Sequence, residues 1–294
     1  MTNSIITLCA PDRDQSCFAC CPPIRPAGYE HIQHKNILKR EFRENTLAFR
    51  KDDTKVLPIT GFSCWALGYL DKGGRRIGCL LHPLHNEGTD LRFRVDYGEK
   101  CRRESCPESV AFSRLGNDAK HFWLHLADGL DSFAYSSRKE NPLFTLMGWG
   151  KRLLELISSV EAYRKYDRKG FLREYPFFQT TLSPRPHAYL AKHLITEENV
   201  HLLKEPGFGE EFLKFSGTLS SSLKKAFGET PGETAVHRHP LDRDFLNFLR
   251  LSAKITKISK EDALRLKTSA DEEVEKFRRT MPCRLPLKTK SLHS

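Results

Sequence analysis

The sequence predicts an α+β chain, mainly α, in which an irregular cysteine-rich module over residues 1–107 precedes a mainly helical domain over 108–294. Three observations carry that expectation. Seven of the nine cysteines fall between Cys17 and Cys106. The same stretch is broken by turn dipeptides, among them Pro22-Pro23, Lys72-Gly73-Gly74 and Asn86-Glu87-Gly88, and so has few long periodic segments. Beyond Pro107 the apolar residues settle into a spacing of three or four, the period of an amphipathic helix.

Taken in order, residues 1–16 read as an irregular lead-in. His31–Arg50 carries Ile32, Ile37, Leu38, Phe42 and Leu47 at helical spacing. After the expected seam near 107–118, at Cys106-Pro107 and Gly116-Asn117-Asp118, Asp118–Tyr135 places Phe122, Trp123, Leu126, Leu130 and Phe133 on one helical face. Leu143–Tyr166 does the same with Leu146, Leu153, Leu154, Ile157 and Val160. Further helical runs are expected at 188–204, 210–227, 241–258 and 260–280, with loops at Thr181–Pro186 and Gly228–Pro240. Arg278–Lys290 reads as a basic tail.

Hydrophobic content of 39% and charged content of 29% suit a globular chain with a polar surface. The longest apolar stretch, Pro142–Gly150, stops at Lys151-Arg152. A membrane span needs about 20 apolar residues, so no membrane partner is expected. The first residues lack the basic start and long apolar core of a secretory signal, which leads us to expect a cytoplasmic protein. There thiols stay reduced, and clustered cysteines favour metal over disulfides. The net charge of +11 suits an anionic partner, nucleic acid or an acidic protein.

Zinc takes four ligands in a tetrahedron, and an iron–sulfur cubane usually takes four thiolates. Cys17, Cys20, Cys21, Cys64, Cys79, Cys101 and Cys106, with His82, total eight candidate donors, the number for two four-ligand sites. Cys17 and Cys20 have the two-residue gap that lets one turn present both sulfurs to one metal. Adjacent Cys20 and Cys21 point apart in an extended backbone, so two nearby sites accommodate the doublet better than one. Cys9 and Cys283 lie outside the cluster and read as ordinary thiols. The same thiolates suit zinc and an iron–sulfur cluster, so the residues leave that choice open. Reduced cysteines packed simply as small core residues are the competing account. An all-thiolate site leaves no open position for water, so the expected metal is structural, and it would stabilise a module with little core of its own.

Cys17-x-x-Cys20-Cys21, Cys64-x-x-Leu67, the lone Cys79 in an apolar context and Cys101-Arg102 followed by Cys106 resemble the YkgJ-type cysteine-cluster family. Its members are described as zinc- or iron-chelating domains. The resemblance covers the first third of the chain and implies a metal there. Two departures stand out: the family's lead cysteine is missing at its usual spacing before Cys17, where only distant Cys9 could replace it. The short Arg-Pro link before the Cys-Arg pair is here the longer insert His82–Lys100. A flagellin lysine methylase group looks related through the same cluster, which implies that an enzyme can be built around such a domain.

Other groupings are less specific. His82, His85, Asp90, Arg92 and Arg94 mix imidazole, carboxylate and guanidinium in one insert, as an anion site or a polar loop over the metal would. His121, His125 and Asp128 share a helical face without the Glu of a metalloprotease helix. Arg102, Arg103, Arg164 and Lys165 are candidate phosphate contacts if the partner is nucleic acid, the last two set among Tyr163 and Tyr166. No catalytic residue can be named. The leading expectation is a metal-binding interaction or accessory protein; a nucleic-acid-binding protein and an iron–sulfur redox or transferase enzyme are the alternatives.

Overall fold

A computed structural model of the chain describes residues 6–12, 14–21, 28–60, 63–103, 105–179, 182–228 and 234–284, with side chains as far as Met281. The chain is mainly helical with two small antiparallel sheets, as expected. It divides into two compact units, Met1–Phe144 and Thr145–Ser294.

In the first unit a 3-10 turn at His31–His34 leads into α1 (Lys35–Ala48), followed by the hairpin of β1 (Leu67–Tyr69) and β2 (Ile77–Cys79). Then come α2 (Gly98–Arg103), α3 (Pro107–Ser113), α4 (Asn117–His125) and α5 (Ser132–Tyr135). The hairpin pairs Leu67 with Cys79, Gly68 with Gly78 and Tyr69 with Ile77. Thr46 locks α1 to it: its hydroxyl accepts from the Tyr69 N–H at 2.7 Å and donates to the Phe42 carbonyl at 2.6 Å. A Cβ on Gly68 would fall 2.6 Å from that hydroxyl, so glycine there is a condition of the contact.

Leu38 and Phe42 of α1 are buried, whereas Ile37 and Leu47, expected on the same face, are 53% and 70% exposed. Phe18 anchors the core. It is fully buried, and its ring meets His31, Phe42 and Phe133 edge-on.

The division between the units falls well beyond the seam expected near 107–118. Hydrogen bonds from the N-terminal stretch hold residues 108–144 to the cysteine-rich part. Gln15 donates to the Ala127 and Leu130 carbonyls, Tyr135 donates to the Leu8 carbonyl, and the Phe18 N–H donates to Ser136. The helix expected over Asp118–Tyr135 is two helices, because the chain turns at Gly129 (φ +78°) before Asp131 caps α5.

The short α6 (Leu143–Leu146) straddles the division. The second unit holds α7 (Lys151–Val160), α8 (Arg168–Glu174), α9 (Pro184–Leu194), α10 (Phe208–Phe227), β3 (Thr234–Ala235), α11 (Arg243–Leu251), β4 (Lys257–Ile258) and α12 (Lys260–Arg284). Of the loop expected at Thr181–Pro186, Thr181 lies outside the described residues, Leu182 and Ser183 are irregular, and α9 begins at Pro184; its N-terminal turn accepts Pro184 and Pro186 since neither position needs an N–H donor. Of the loop expected over 228–240, residues 229–233 lie outside the described residues, and 234–238 form β3 and a 3-10 turn. Tyr189 of α9 packs against Phe245 and Phe248 of α11, and Phe215 of α10 stacks on Phe277 of α12 with ring centres 4.0 Å apart. The tail beyond Arg284 and the Cys283 side chain lie outside the described residues. Among the described residues, no helix is long and apolar enough to cross a membrane.

Candidate metal centre

Cys17 and Cys20 flank a tight turn closed by the Cys21 N–H donating to the Phe18 carbonyl at 3.0 Å. Phe18 drives that turn into the aromatic core, so the cysteine turn is held by packing. The hairpin fixes two more thiols. Cys79 ends β2, and the Cys64 carbonyl accepts from the Leu67 N–H at 2.9 Å. Cys101 sits in α2, where Arg92 Nη1 donates to its carbonyl at 2.8 Å. Cys106 immediately precedes α3, and Pro107 starts that helix.

These elements converge. Eight cysteines, Cys9, Cys17, Cys20, Cys21, Cys64, Cys79, Cys101 and Cys106, line one cavity of about 510 Å³ in the first unit, with His82, His85, Arg92 and Arg138 among the other lining residues. None of the eight is joined in a disulfide to another described residue. As placed, no three His, Cys, Asp or Glu side chains among the described residues form a group that could hold a metal ion. A larger hollow of about 1140 Å³ in the second unit is lined by charged side chains of both signs and contains no cysteine.

Burial governs the protonation of these thiols. It pushes Cys64 up to about 11 and Cys79 and Cys106 up to about 12, and it raises Cys17 and Cys9 as well. Cys21 is raised first by its hydrogen bond with Cys20 and then by burial. Against that trend, the backbone amides of Ala19 near Cys17, Ala66 and Leu67 near Cys64, Leu81 near Cys79, and Glu108 and Ser109 near Cys106 act to lower these thiols.

The insert between Cys79 and Cys101 is an ordered strap. Asp90 accepts from the Arg92 backbone N–H and from both Nε and Nη2 of the guanidinium, which hold its carboxyl down at about 2. His82 lines the cavity and caps the 3-10 turn at Pro83–His85, its Nδ1 accepting from the Leu84 N–H at 3.1 Å. Asn86, fully buried, ties this turn to the Leu80 and His82 carbonyls. Gly98 is required where α2 crosses the strap, since a Cβ there would stand 2.5 Å from the Arg92 carbonyl oxygen. Gly98→Ala is therefore expected to lower the stability of the first unit by about 1–3 kcal/mol. The check is the urea midpoint of that unit. Gly217→Ala on α10, where a Cβ meets nothing within 4 Å, should leave the midpoint unchanged.

The remaining sequence candidates fall elsewhere. Arg102 pairs with Glu99, and Arg103 donates to the Glu99 carbonyl. Lys165 is committed to Glu161, and Arg164 lies over the Tyr163 ring. The first pair belongs to the first unit and the second pair to the second unit. His125 binds Asp128 at 2.6 Å. Cys9, read from sequence as an ordinary thiol, faces the same cavity as the clustered cysteines. The one sequence signal for it was the missing lead cysteine before Cys17. Comparison with protein-family models, with curated proteins and with solved structures finds no match.

Proposed function

We propose that the first unit is a thiolate metal-binding module, and that it holds iron–sulfur rather than a lone zinc ion. The observation that carries this reading is the convergence of eight cysteines, brought from separate segments of the first unit, on one cavity. The resemblance to the YkgJ-type cysteine cluster supports the same chemistry.

The choice of iron–sulfur rests on spacing. Four sulfurs about 2.3 Å from one zinc stand about 3.8 Å from one another. The eight thiols line a hollow of about 510 Å³. Thiolates around a cubane stand further apart, because inorganic sulfide fills the space between the irons. Such a group supplies one-electron chemistry and covalent cross-links among distant segments. The chain's own contribution would be to bring the thiolates to one cavity and to set Arg92 and Arg138 beside them.

The test is metal and labile-sulfide analysis of protein purified without oxygen. Iron and sulfide in equal amounts, with a broad visible absorption, are expected. Colourless protein carrying zinc would replace iron–sulfur by zinc thiolate, and metal-free, fully folded protein would sink the metal reading.

A further inference from the structure

We infer that the turn at Ala162–Lys165 and the outer face of α8 form a binding surface for single-stranded nucleic acid. Tyr163 and Arg164 receive an unpaired base, and Lys169 and Arg173 receive phosphates. These residues all belong to the second unit, and their role does not depend on the metal reading.

The turn is closed by the Lys165 N–H donating to the Ala162 carbonyl at 3.2 Å. Its anchor is Tyr166, whose ring packs edge-on against Phe171 and Tyr175. Lys165 is tied down as well, by Glu161 at 2.9 Å. Beside these fixed points Tyr163 is 54% exposed, although a tyrosine ring ordinarily gains by burial. Arg164 lies over that ring, its guanidinium carbon 5.2 Å from the ring centre. An aromatic face beside a guanidinium is the combination on which unpaired bases stack, whatever their sequence.

The backbone supports the same assignment. Arg164 stands at φ +60°, in the left-handed region that favours glycine. Its side chain is exposed, so core packing does not require an arginine there. Strain of this kind collects at binding sites, where the side chain serves a ligand.

Charge is arranged to match. The second unit carries 27 Lys and Arg against 19 Asp and Glu. Within residues 161–174 all three carboxylates are engaged by the protein itself. Glu161 is held by Lys204, Lys165 and Tyr175, Asp167 caps α8 by accepting from the Gly170 N–H at 2.6 Å, and Glu174 lies 3.3 Å from Lys204. Arg164, Lys169 and Arg173 are exposed, and none is paired with a carboxylate among the described residues. Lys169 and Arg173 are four residues apart and so share one face of α8, opposite buried Phe171.

The exposed ring selects among polyanions. Bases in a duplex are already stacked on one another, and an acidic peptide offers no planar group, so neither draws on Tyr163. A single strand uses the ring and the cations together.

The test is binding of the full chain to a single-stranded oligothymidylate of about ten nucleotides, read by fluorescence anisotropy. Affinity should exceed that for an abasic strand of equal length and charge, for the duplex with oligoadenylate and for polyglutamate. It should fall with salt with a log–log slope of about −0.7 per phosphate, or about −2 for three contacts. Tyr163→Ala should weaken binding about tenfold, and Tyr163→Phe should preserve it. Arg164→Gly separates binding from folding, because glycine relieves the backbone. The unfolding midpoint of the second unit should hold or rise, while affinity falls about fivefold. Lys169→Ala and Arg173→Ala, away from the turn, should each make the salt slope shallower by about 0.7.

Absence of binding at low salt overturns the inference. Equal affinity for the abasic strand or for polyglutamate also overturns it, since charge alone would then account for the attraction. So does unchanged affinity in Tyr163→Ala or Arg164→Gly. A lower midpoint accompanying the loss in Arg164→Gly would make Arg164 a structural residue and overturn its assignment.

Discussion

Stripping the metal proposed for the cysteine cluster is expected to unfold the first unit and leave the second standing. Between Ala48 and Pro107 the described residues of the first unit form two three-residue strands, short 3-10 turns and a six-residue helix. Segments so short bury little surface of their own. Binding of a structural zinc contributes about 10–16 kcal/mol at pH 7, comparable with the whole stability of an ordinary domain, about 5–15 kcal/mol. On the proposed reading, a thiolate cluster linking the N-terminal turn, the hairpin, α2 and the start of α3 would be a term of the same order. Residues 17–106 should melt first, taking with them the segments to Phe144 that pack against Gln15, Phe18 and Leu8. The second unit, with helices of 20 and 25 residues, needs no such help.

Two thermal transitions should become one on anaerobic chelation. Near-ultraviolet signals of Trp65 and Trp123 in the first unit should be lost, and that of buried Trp149 in the second retained. An unchanged first transition in metal-free protein would show that the metal is not structural.

Replacing Glu161 by Ala is expected to destabilise the second unit by about 3–5 kcal/mol, the cost of breaking a buried ion pair from one side. Glu161 is only 3% exposed at its side chain, yet it carries three partners. Lys204 Nζ lies 2.5 Å from Oε1, Lys165 Nζ lies 2.9 Å from Oε2, and the Tyr175 hydroxyl donates to Oε1 at 2.6 Å. Removing the carboxylate strands that hydroxyl and leaves Lys204 with Glu174 alone, at 3.3 Å.

The same node sets an acid limit. Burial acts to raise the Glu161 carboxyl, but Lys204, Tyr175 and Lys165 outweigh it and hold the group at about 2, against 4.5 for an ordinary glutamate. A depressed folded value stabilises above the unfolded one, so the contribution is complete above pH 4.5 and is lost as pH falls toward 2. Its size is about 3 kcal/mol. The unaltered second unit should therefore lose stability steeply below pH 4.5, and Glu161→Gln should lose much less. Parallel curves for the two would place the acid sensitivity in another group.

Local order along the chain was legible without coordinates. α1, α7, α10, α11 and α12 each overlap a segment where apolar residues recur every three or four, because a helix repeats its own face within a single turn. Where a turn interrupts that repeat, periodicity misled. Gly129 divides one expected helix, and Ile37 and Leu47 have helical spacing yet face outward, since no element among the described residues covers that side of α1. The clustering of cysteines, the x-x gap between Cys17 and Cys20 and the need of adjacent Cys20 and Cys21 for different surroundings are also local facts, fixed by backbone geometry over a few residues.

The sequence by itself determined that this is a mainly helical chain whose first part concentrates thiols. Tertiary structure alone decided which thiols meet. Cys9 reaches the segment that follows Cys106 across a separation of 100 residues, through a bond to Ser109 that no spacing rule encodes. The placement of the division after Phe144 has the same origin, in hydrogen bonds that join Gln15 to Leu130 and Phe18 to Ser136. Periodicity and motif spacing report which way a residue faces along its own element. The company it keeps depends on how buried side chains such as Phe18 fill a common core, and that is settled only when distant segments pack together.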